Sequence, residues 1–334
     1  MAKVVFFEVE DWEREYINSA LADYQPVLIE ERLEDSTVAK YQDAEAISTF
    51  IYSTLTKEVL EKLPNLKFIA TRSTGYDHID LNYCKERGIK VANVPTYGEH
   101  TVAEHAFGLI LAISRKILAA VEKAKSGDFT PEGLEGFDLF GKTLGVVGAG
   151  HIGKNVIKLG RAFGMNVLVF SKHVDGEFSQ DQGIKFVDLD TLFSASDIIT
   201  LHVPATKETE HMINMGNIEK IKKGAILINT ARGSLIETQA ILEALDKGIL
   251  SAAGLDVLEE ECDFREEREL LTTEFFKTCD IKTALLNHVL LTRKDVVITP
   301  HNAFNSKEAL QQIIETSIGN IKGYISGAPV NIVE

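Results

Sequence analysis

Cysteine is scarce in this chain: Cys84, Cys262 and Cys279 are the only 3 in 334 residues, and they stand far apart. Three scattered thiols exclude a disulfide framework or a zinc cluster and read as reduced cysteines of a cytoplasmic protein. Basic charge is short as well, with 35 Lys and Arg against 50 Asp and Glu and a formal net charge of −15. A broad nucleic-acid surface needs a basic field, so no nucleic acid is expected, whereas a local basic pocket for a small anion stays open. Long apolar runs are missing too. The most apolar helical stretch, 106–113, falls far below a membrane span, and the opening Met1–Glu8 meets acids too early for a signal peptide. No internal repeat, low-complexity tract or histidine pair with metal-ligand spacing is found, so no catalytic metal is expected.

What is present is ordinary for a globular protein: 45% hydrophobic and 25% charged residues, in a length that suggests two domains of roughly 150 residues. The first part alternates short β-rich runs, 4–9, 27–29, 46–52, 66–70 and 90–92, with helical pieces such as 57–63 and 81–87. From about His100 to Gly127, apolar residues recur at helical spacing with no proline inside, which predicts the longest helix of the chain. Further strands are predicted at 144–147, 166–170, 197–202, 225–229, 253–256 and 296–299, with helices between them and a last helix from Lys307 to about Ser326. Such alternation argues for parallel βαβ units. One segment breaks the rhythm. Glu259–Glu269 holds 7 acids and 2 arginines, and the irregular stretch around it is expected to reach Lys294 as a solvated insertion, a lid or a subunit contact.

Two phosphate-type motifs follow each other. Residues 136–143 match G-x-x-x-x-G-K-[ST], but a strand follows where a P-loop needs a helix, so the match reads as chance. Gly148-Ala149-Gly150-His151-Ile152-Gly153 lies between an apolar strand and an amphipathic helix, where its glycines permit a tight turn, close approach to a pyrophosphate and helix–strand packing. The next strand closes on Ser171 and Lys172, followed by His173. An acid at this place would bind the ribose of NAD and repel the 2′-phosphate of NADP; Ser171 does neither, although Asp175 is near. Either NAD(H) or NADP(H) is therefore expected.

Three later strand ends carry an Arg, acids and a His: Asn229-Thr230-Ala231-Arg232-Gly233, then Gly254-Leu255-Asp256-Val257 with Glu261 beyond, then Thr299-Pro300-His301. Strand C-termini of an α/β sheet face the ligand crevice. Hydride transfer to a 2-keto acid needs such a set: a guanidinium clamp for the carboxylate, a proton donor for the keto oxygen, and an acid to hold the imidazole protonated.

With Thr71–Asp80, Val102-Ala103-Glu104-His105 and the motifs above in one order along the chain, the sequence resembles the D-isomer-specific 2-hydroxyacid dehydrogenase family. The resemblance implies an α/β fold of two Rossmann-like domains, one flavodoxin-like and one dinucleotide-binding. A discontinuous substrate-binding domain (1–99 and 301–334) would enclose an inserted cofactor domain (100–300). It implies catalytic roles for Arg232, Glu261 and His301, with Glu261 preferred to Glu259 and Glu260 by its distance from Asp256. The cofactor would be held by the Gly148–Gly153 turn with His151 and Ile152, by Ser171 and Lys172, and by His202, Val203 and Pro204. Thr230, Ala231 and Asp256 would join it, Asp256 as partner of the nicotinamide carboxamide. Ser73, Thr74 and Gly75 would cradle the substrate carboxylate. Within the family the D-lactate branch is the nearest likeness, through Phe304, Tyr97 and Tyr52, whose rings would enclose a small methyl as in pyruvate. Core packing is the competing reading of those rings. A glyoxylate or hydroxypyruvate reductase, a non-catalytic corepressor-like protein and an ATP-binding enzyme using 136–143 are the rivals; a homodimer is the family-level expectation. A phosphoglycerate dehydrogenase is disfavoured, because a chain ending at Glu334 leaves no room for an appended regulatory domain.

Overall fold

The computed structural model describes residues 3–172, 184–259 and 280–333. The chain forms two compact units, one from residues 1–98 and 305–334, the other from residues 99–304.

The first unit begins with strands β1 (Val4–Phe6), β2 (Val27–Leu28), β3 (Ala46–Thr49), β4 (Phe68–Thr71) and β5 (Lys90–Ala92). Their side chains alternate across the sheet, as period-2 strands require. Val5, Ile47, Ile69 and Val91 enter one buried layer; Val4, Phe6, Ala46, Phe68, Ala70 and Ala92 enter the other. With both faces covered, the strands read as continuous apolar runs, which is how buried parallel strands look in sequence.

The second unit holds β6 (Thr143–Val147), β7 (Asn166–Phe170), β8 (Lys185–Phe186), β9 (Ile198–Leu201), β10 (Ala225–Asn229), β11 (Leu250–Leu255) and β12 (Val296–Ile298). Its sheet runs β12-β11-β10-β9-β6-β7-β8, parallel throughout. Chain order reverses beside β6, so the switch point of this doubly wound sheet lies between the C-terminal ends of β6 and β9. The helix Glu99–Ser114 packs Ala103, Ala106, Phe107 and Ile110 into one of its two cores.

The chain then returns to the first unit through the helix Lys307–Ile325, whose Ile314, Ile318 and Ile321 close the second apolar layer, and ends in β13 (Ile332–Val333). That strand, unforeseen in the sequence, pairs antiparallel with β5 and completes the order β13-β5-β4-β3-β1-β2.

Four expectations need correction. The helix expected over 100–127 is two helices, Glu99–Ser114 and Ile117–Lys125, parted at Lys116 with φ of 49°. The Phe137 amide donates to the Ser114 carbonyl at 2.9 Å, which takes that acceptor out of the helical ladder. Among the described residues the longest helix is instead Lys307–Ile325, with 19 residues. The irregular stretch does not reach Lys294. Asp280 caps a helix over Ile281–Thr292 by accepting from the Lys282 and Thr283 amides, while residues 260–279 lie outside the described part. Finally, the second crossing between units falls after Phe304 rather than before His301. The His301 amide donates to the Asp256 carbonyl, and the Asn302 and Ala303 amides donate to its carboxylate, so this loop is fastened to the second sheet.

Candidate active site

The Gly-rich turn sits at the end of β6. Gly148 adopts φ of 100°, and a Cβ there would lie 2.4 Å from the His202 carbonyl oxygen and 2.8 Å from Val203 Cγ1. A Cβ on Gly153 would lie 1.9 Å from the Gly148 carbonyl oxygen. Only glycine lets the turn, the helix His151–Ala162 and the β9 end close on each other, whereas Gly150 faces open space. The turn, with Ile152 half-buried and His151 near Glu99 at 3.2 Å, is thus brought against His202 and Val203; Pro204 follows on the surface. His202 keeps some accessible surface, yet the protein packed around it pushes the imidazole pKa down to about 3. The ring is neutral and lies 2.8 Å from Thr200 Oγ1. Ser171 and Lys172 stand just past β7, and the Lys172 charge is felt at Glu208. His173 and Asp175 lie outside the described residues.

Along the same edge, β10, β11 and β12 are neighbours. At the β10 end Asn229 braces its own loop: its Oδ1 accepts from the Ala231 amide at 3.0 Å, and its Nδ2 donates to the Arg232 carbonyl at 2.8 Å. Arg232 is half-buried, and its Nη1 donates to the Ala231 carbonyl. A Cβ on the next residue, Gly233, would lie 1.8 Å from the Leu258 carbonyl oxygen, so this loop and the one after β11 touch backbone to backbone. Thr230 Oγ1 is buried without a hydrogen-bond partner among the described residues.

At the β12 end His301 takes φ of 48°, a left-handed conformation that costs a non-glycine residue roughly 1–3 kcal/mol unless its surroundings enforce it. Asp256 supplies the enforcement. Its side chain is fully enclosed and accepts from the Asn302 amide at Oδ1 and the Ala303 amide at Oδ2, both at 2.8 Å, and from the Thr299 hydroxyl. His105 Nε2, 3.0 Å from Thr299 Oγ1, lies 3.4 Å from the same carboxylate. Burial would raise the Asp256 pKa, but the hydrogen bonds from His105, Thr299, Asn302 and Ala303 outweigh it and hold the carboxyl below its ordinary range. The structure therefore places Asp256 under the His301 loop. Its oxygens are engaged there.

In the first unit Ser73, Thr74 and Gly75 follow the end of β4. Ser73 Oγ donates to the Gly75 carbonyl at 2.6 Å, Thr74 Oγ1 donates to the Val94 carbonyl at 2.7 Å, and the Thr74 carbonyl accepts from Asn93 Nδ2 at 2.8 Å. The Ser73 and Thr74 side chains are thus engaged with backbone carbonyls. Tyr52 is 52% exposed, so core packing does not explain it; its ring stands edge-on to Phe50 with centroids 5.8 Å apart. Tyr97 and Phe304 are half-buried, the first in this unit and the second, three residues after His301, in the other.

The family model for the D-isomer-specific 2-hydroxyacid dehydrogenase NAD-binding domain matches residues 107–303. The chain belongs to that family. It is 33% identical to the D-lactate dehydrogenase of Escherichia coli, with 97% of both chains aligned. It is 35% identical to the glyoxylate reductase of Thermococcus litoralis, over 98% of this chain and 91% of the relative. Among solved structures it resembles D-lactate dehydrogenase from Aquifex aeolicus complexed with NAD and lactic acid, at a TM-score of 0.86 and 36% identity, covering 98% of this chain and 96% of that one.

For this family member residues 107–303, which include the turn at Gly148–Gly153, form an NAD-binding domain. The residues present fit the group. The turn admits no Cβ on the protein side and leaves Gly150 open, and the unpartnered Thr230 hydroxyl offers a buried polar atom on the next strand but one. The P-loop-like stretch is excluded by its surroundings: Thr143 opens β6, and Lys142 lies over the Phe137 ring. Glu261 lies outside the described residues. Its neighbour Glu259 is already engaged, accepting from the Thr238 amide and hydroxyl and pairing with His211. Sequence reasoning missed His105 and Thr299 as partners of Asp256. The only signal was their presence in the motifs 102–105 and 299–301, which gave no hint that the two meet.

Proposed function

We propose that this chain reduces a small 2-keto acid, pyruvate foremost, to the D-2-hydroxy acid and runs the reverse oxidation, with NAD(H) and with NADP(H) as an accepted alternative. What supports the reading most is one arrangement. Arg232 and His301 end two strands that flank β11, and Asp256 at the β11 end fastens the His301 loop in a defined conformation. In this reading residues 99–304 hold the dinucleotide, and the unit containing Ser73–Gly75 and Tyr52 receives the acid.

When bound, the reduced nicotinamide supplies the hydride that, with one proton, turns the keto C=O into CH–OH. Arg232 binds the substrate carboxylate through its planar fork. His301 delivers the proton to the carbonyl oxygen and takes it back in the oxidation. Glu261 holds the His301 imidazolium; the engagement of Glu259 with Thr238 and His211 favours Glu261 over it. His202, its pKa pushed down to about 3, is neutral near pH 7 and cannot serve as the acid there. Ser171 carries no charge to repel a 2′-phosphate, which favours use of NADPH beside NADH. The protein is proposed to be cytoplasmic; no helix among the described residues is long and apolar enough to cross a membrane. A homodimer completes the proposal, since Ile117, Leu118 and Val121 expose an apolar helix face that a second copy would cover.

The test is a panel: NADH and NADPH, each against pyruvate, phenylpyruvate, hydroxypyruvate and glyoxylate, with the product resolved on a chiral column. D-lactate as the best product is expected. A preference for glyoxylate or hydroxypyruvate moves the chain to its reductase relatives, and no turnover with any acid refutes the reading.

A further inference from the structure

Glu8 lies just past β1, in a left-handed conformation at φ of 56°. Its carboxylate reaches across to the segment after β3. There Oε2 accepts from the Phe50 amide and Oε1 accepts from Ser53 Oγ at 2.9 Å. Ser53 Oγ in turn accepts from the Leu33 amide at 2.9 Å. The turn grasped at both ends by one carboxylate is the turn that carries Tyr52.

The Glu8 backbone carbonyl accepts from Arg72 Nη2 at 2.7 Å, and the same nitrogen donates to the Phe7 carbonyl at 2.8 Å. Arg72 is only 1% exposed, pairs with Glu13 at 3.4 Å, and immediately precedes Ser73-Thr74-Gly75. The charged group facing Glu8 is thus Arg72 from the β4 end, and Arg72 in turn faces Glu13 and Glu10 from the Asp11–Ala20 helix and its cap. A buried ionic cluster gains little stability over apolar packing, so its position beneath two loops suggests another use.

We infer that Glu8 is a positioning residue for substrate recognition: its ionised carboxylate fixes the 50–53 turn and the Tyr52 ring, and its link to Arg72 ties that turn to the Ser73–Gly75 loop. The inference rests on the proposed function for what those two loops bind. A protonated carboxyl accepts fewer hydrogen bonds, and the Ser53 hydroxyl, already an acceptor for Leu33, cannot easily turn to receive its proton. Protonation therefore loosens the turn. Burial raises the Glu8 pKa above the ordinary carboxylate value, against the pull of Arg72, Ser53 and Phe50; burial raises Glu13 likewise. A carboxyl whose pKa rises on folding binds its proton more tightly in the folded chain, so acid does not unfold the protein through this group. The effect is read on folded enzyme.

The experiment measures KM for the 2-keto acid, KM for NADH and kcat from roughly pH 8 to 5 in the parent, Glu8→Gln and the milder Ser53→Ala. Hydrogen exchange of the peptide spanning 49–54 is followed in parallel. In the parent, KM for the keto acid rises toward acid pH while KM for NADH does not. Glu8→Gln raises the keto-acid KM about tenfold at neutral pH, the order of one charge-assisted hydrogen bond only partly transmitted. It also flattens the acid rise and speeds exchange of the turn, with kcat changed less than KM. Ser53→Ala shifts KM and exchange in the same direction by a smaller factor, so the inference survives a Glu8 variant that fails to fold. An active parent whose keto-acid KM and exchange are untouched by both substitutions overturns this inference alone. A parent inert toward every 2-keto acid overturns the proposed function and this inference with it.

Discussion

Asp256→Asn separates two readings of the same residue. The carboxylate offers an oxygen to each of two amides, Asn302 at Oδ1 and Ala303 at Oδ2, and the side chain has no exposed surface. An amide has one oxygen and one NH2, so whichever way it turns, one buried backbone N–H faces another donor. An orphaned donor costs about 1–3 kcal/mol, and the remaining bonds lose their charge assistance, for a total of about 2–4 kcal/mol. In a unit of this size each kcal/mol moves Tm by roughly 2–4 °C, so the transition of residues 99–304 should fall by about 4–16 °C. Thermal scans and urea melts near pH 7 measure it. The pH dependence has a definite sign. A carboxyl whose folded pKa lies below its unfolded value stabilises above the unfolded pKa and loses that contribution as pH falls through the folded one. The gap between parent and variant should therefore hold from neutral pH to about 4 and close below it. Kinetics complete the test. If Asp256 acts through the His301 loop, kcat falls on the order of 10- to 100-fold, because small displacements of a reacting group are costly, and KM for NADH stays within about twofold. A Tm within a degree or so of the parent, or a raised KM for NADH with unchanged kcat, would refute the reasoning and favour Asp256 as a direct cofactor contact.

Other substitutions probe the remaining parts. Gly153→Ala drives a Cβ to 1.9 Å from the Gly148 carbonyl oxygen; NADH affinity by fluorescence titration should collapse, and retention of parental affinity would contradict the close packing. Arg232→Lys should raise the keto-acid KM and lower kcat, since an ammonium cannot reproduce the bidentate fork; steady-state kinetics identical to the parent would remove Arg232 from the substrate. His301→Ala should lose on the order of 10²–10⁴-fold in kcat, and Glu261→Gln should move the alkaline fall of reduction to lower pH, the direction expected when a neighbouring anion no longer favours the imidazolium. Ser171→Asp should weaken NADPH more than NADH in kcat/KM; a parent that already rejects NADPH as strongly as the variant shows that another group reads the ribose.

The sequence alone determined whatever depends on neighbours along the chain. Buried parallel strands must be apolar on both faces, so the runs at 144–147, 166–170 and 225–229 were readable to within a residue or so. A dinucleotide turn needs its glycines at fixed spacing between a strand and a helix, so 148–153 stood out against the decoy at 136–143. Arg232 and His301 were legible because each closes a strand, and strand ends in such sheets face the ligand.

Tertiary structure decided what depends on residues distant in sequence. The break at Lys116 goes with a distant contact, the Phe137 amide donating to the Ser114 carbonyl. The two-residue strand β13 is too short to carry a period and exists only because β5 offers an open edge. The motif of Asp256 gave no sign that Thr299, 43 residues further on, and then Asn302 and Ala303 surround its oxygens. Glu8 gave no signal at all, because its partners Phe50, Ser53 and Arg72 are 42 to 64 positions away. Periodicity and motif spacing encode which face of an element is buried; they do not encode which buried polar group meets which, since that is fixed only when separate strand ends are brought side by side and every enclosed donor and acceptor must find a partner.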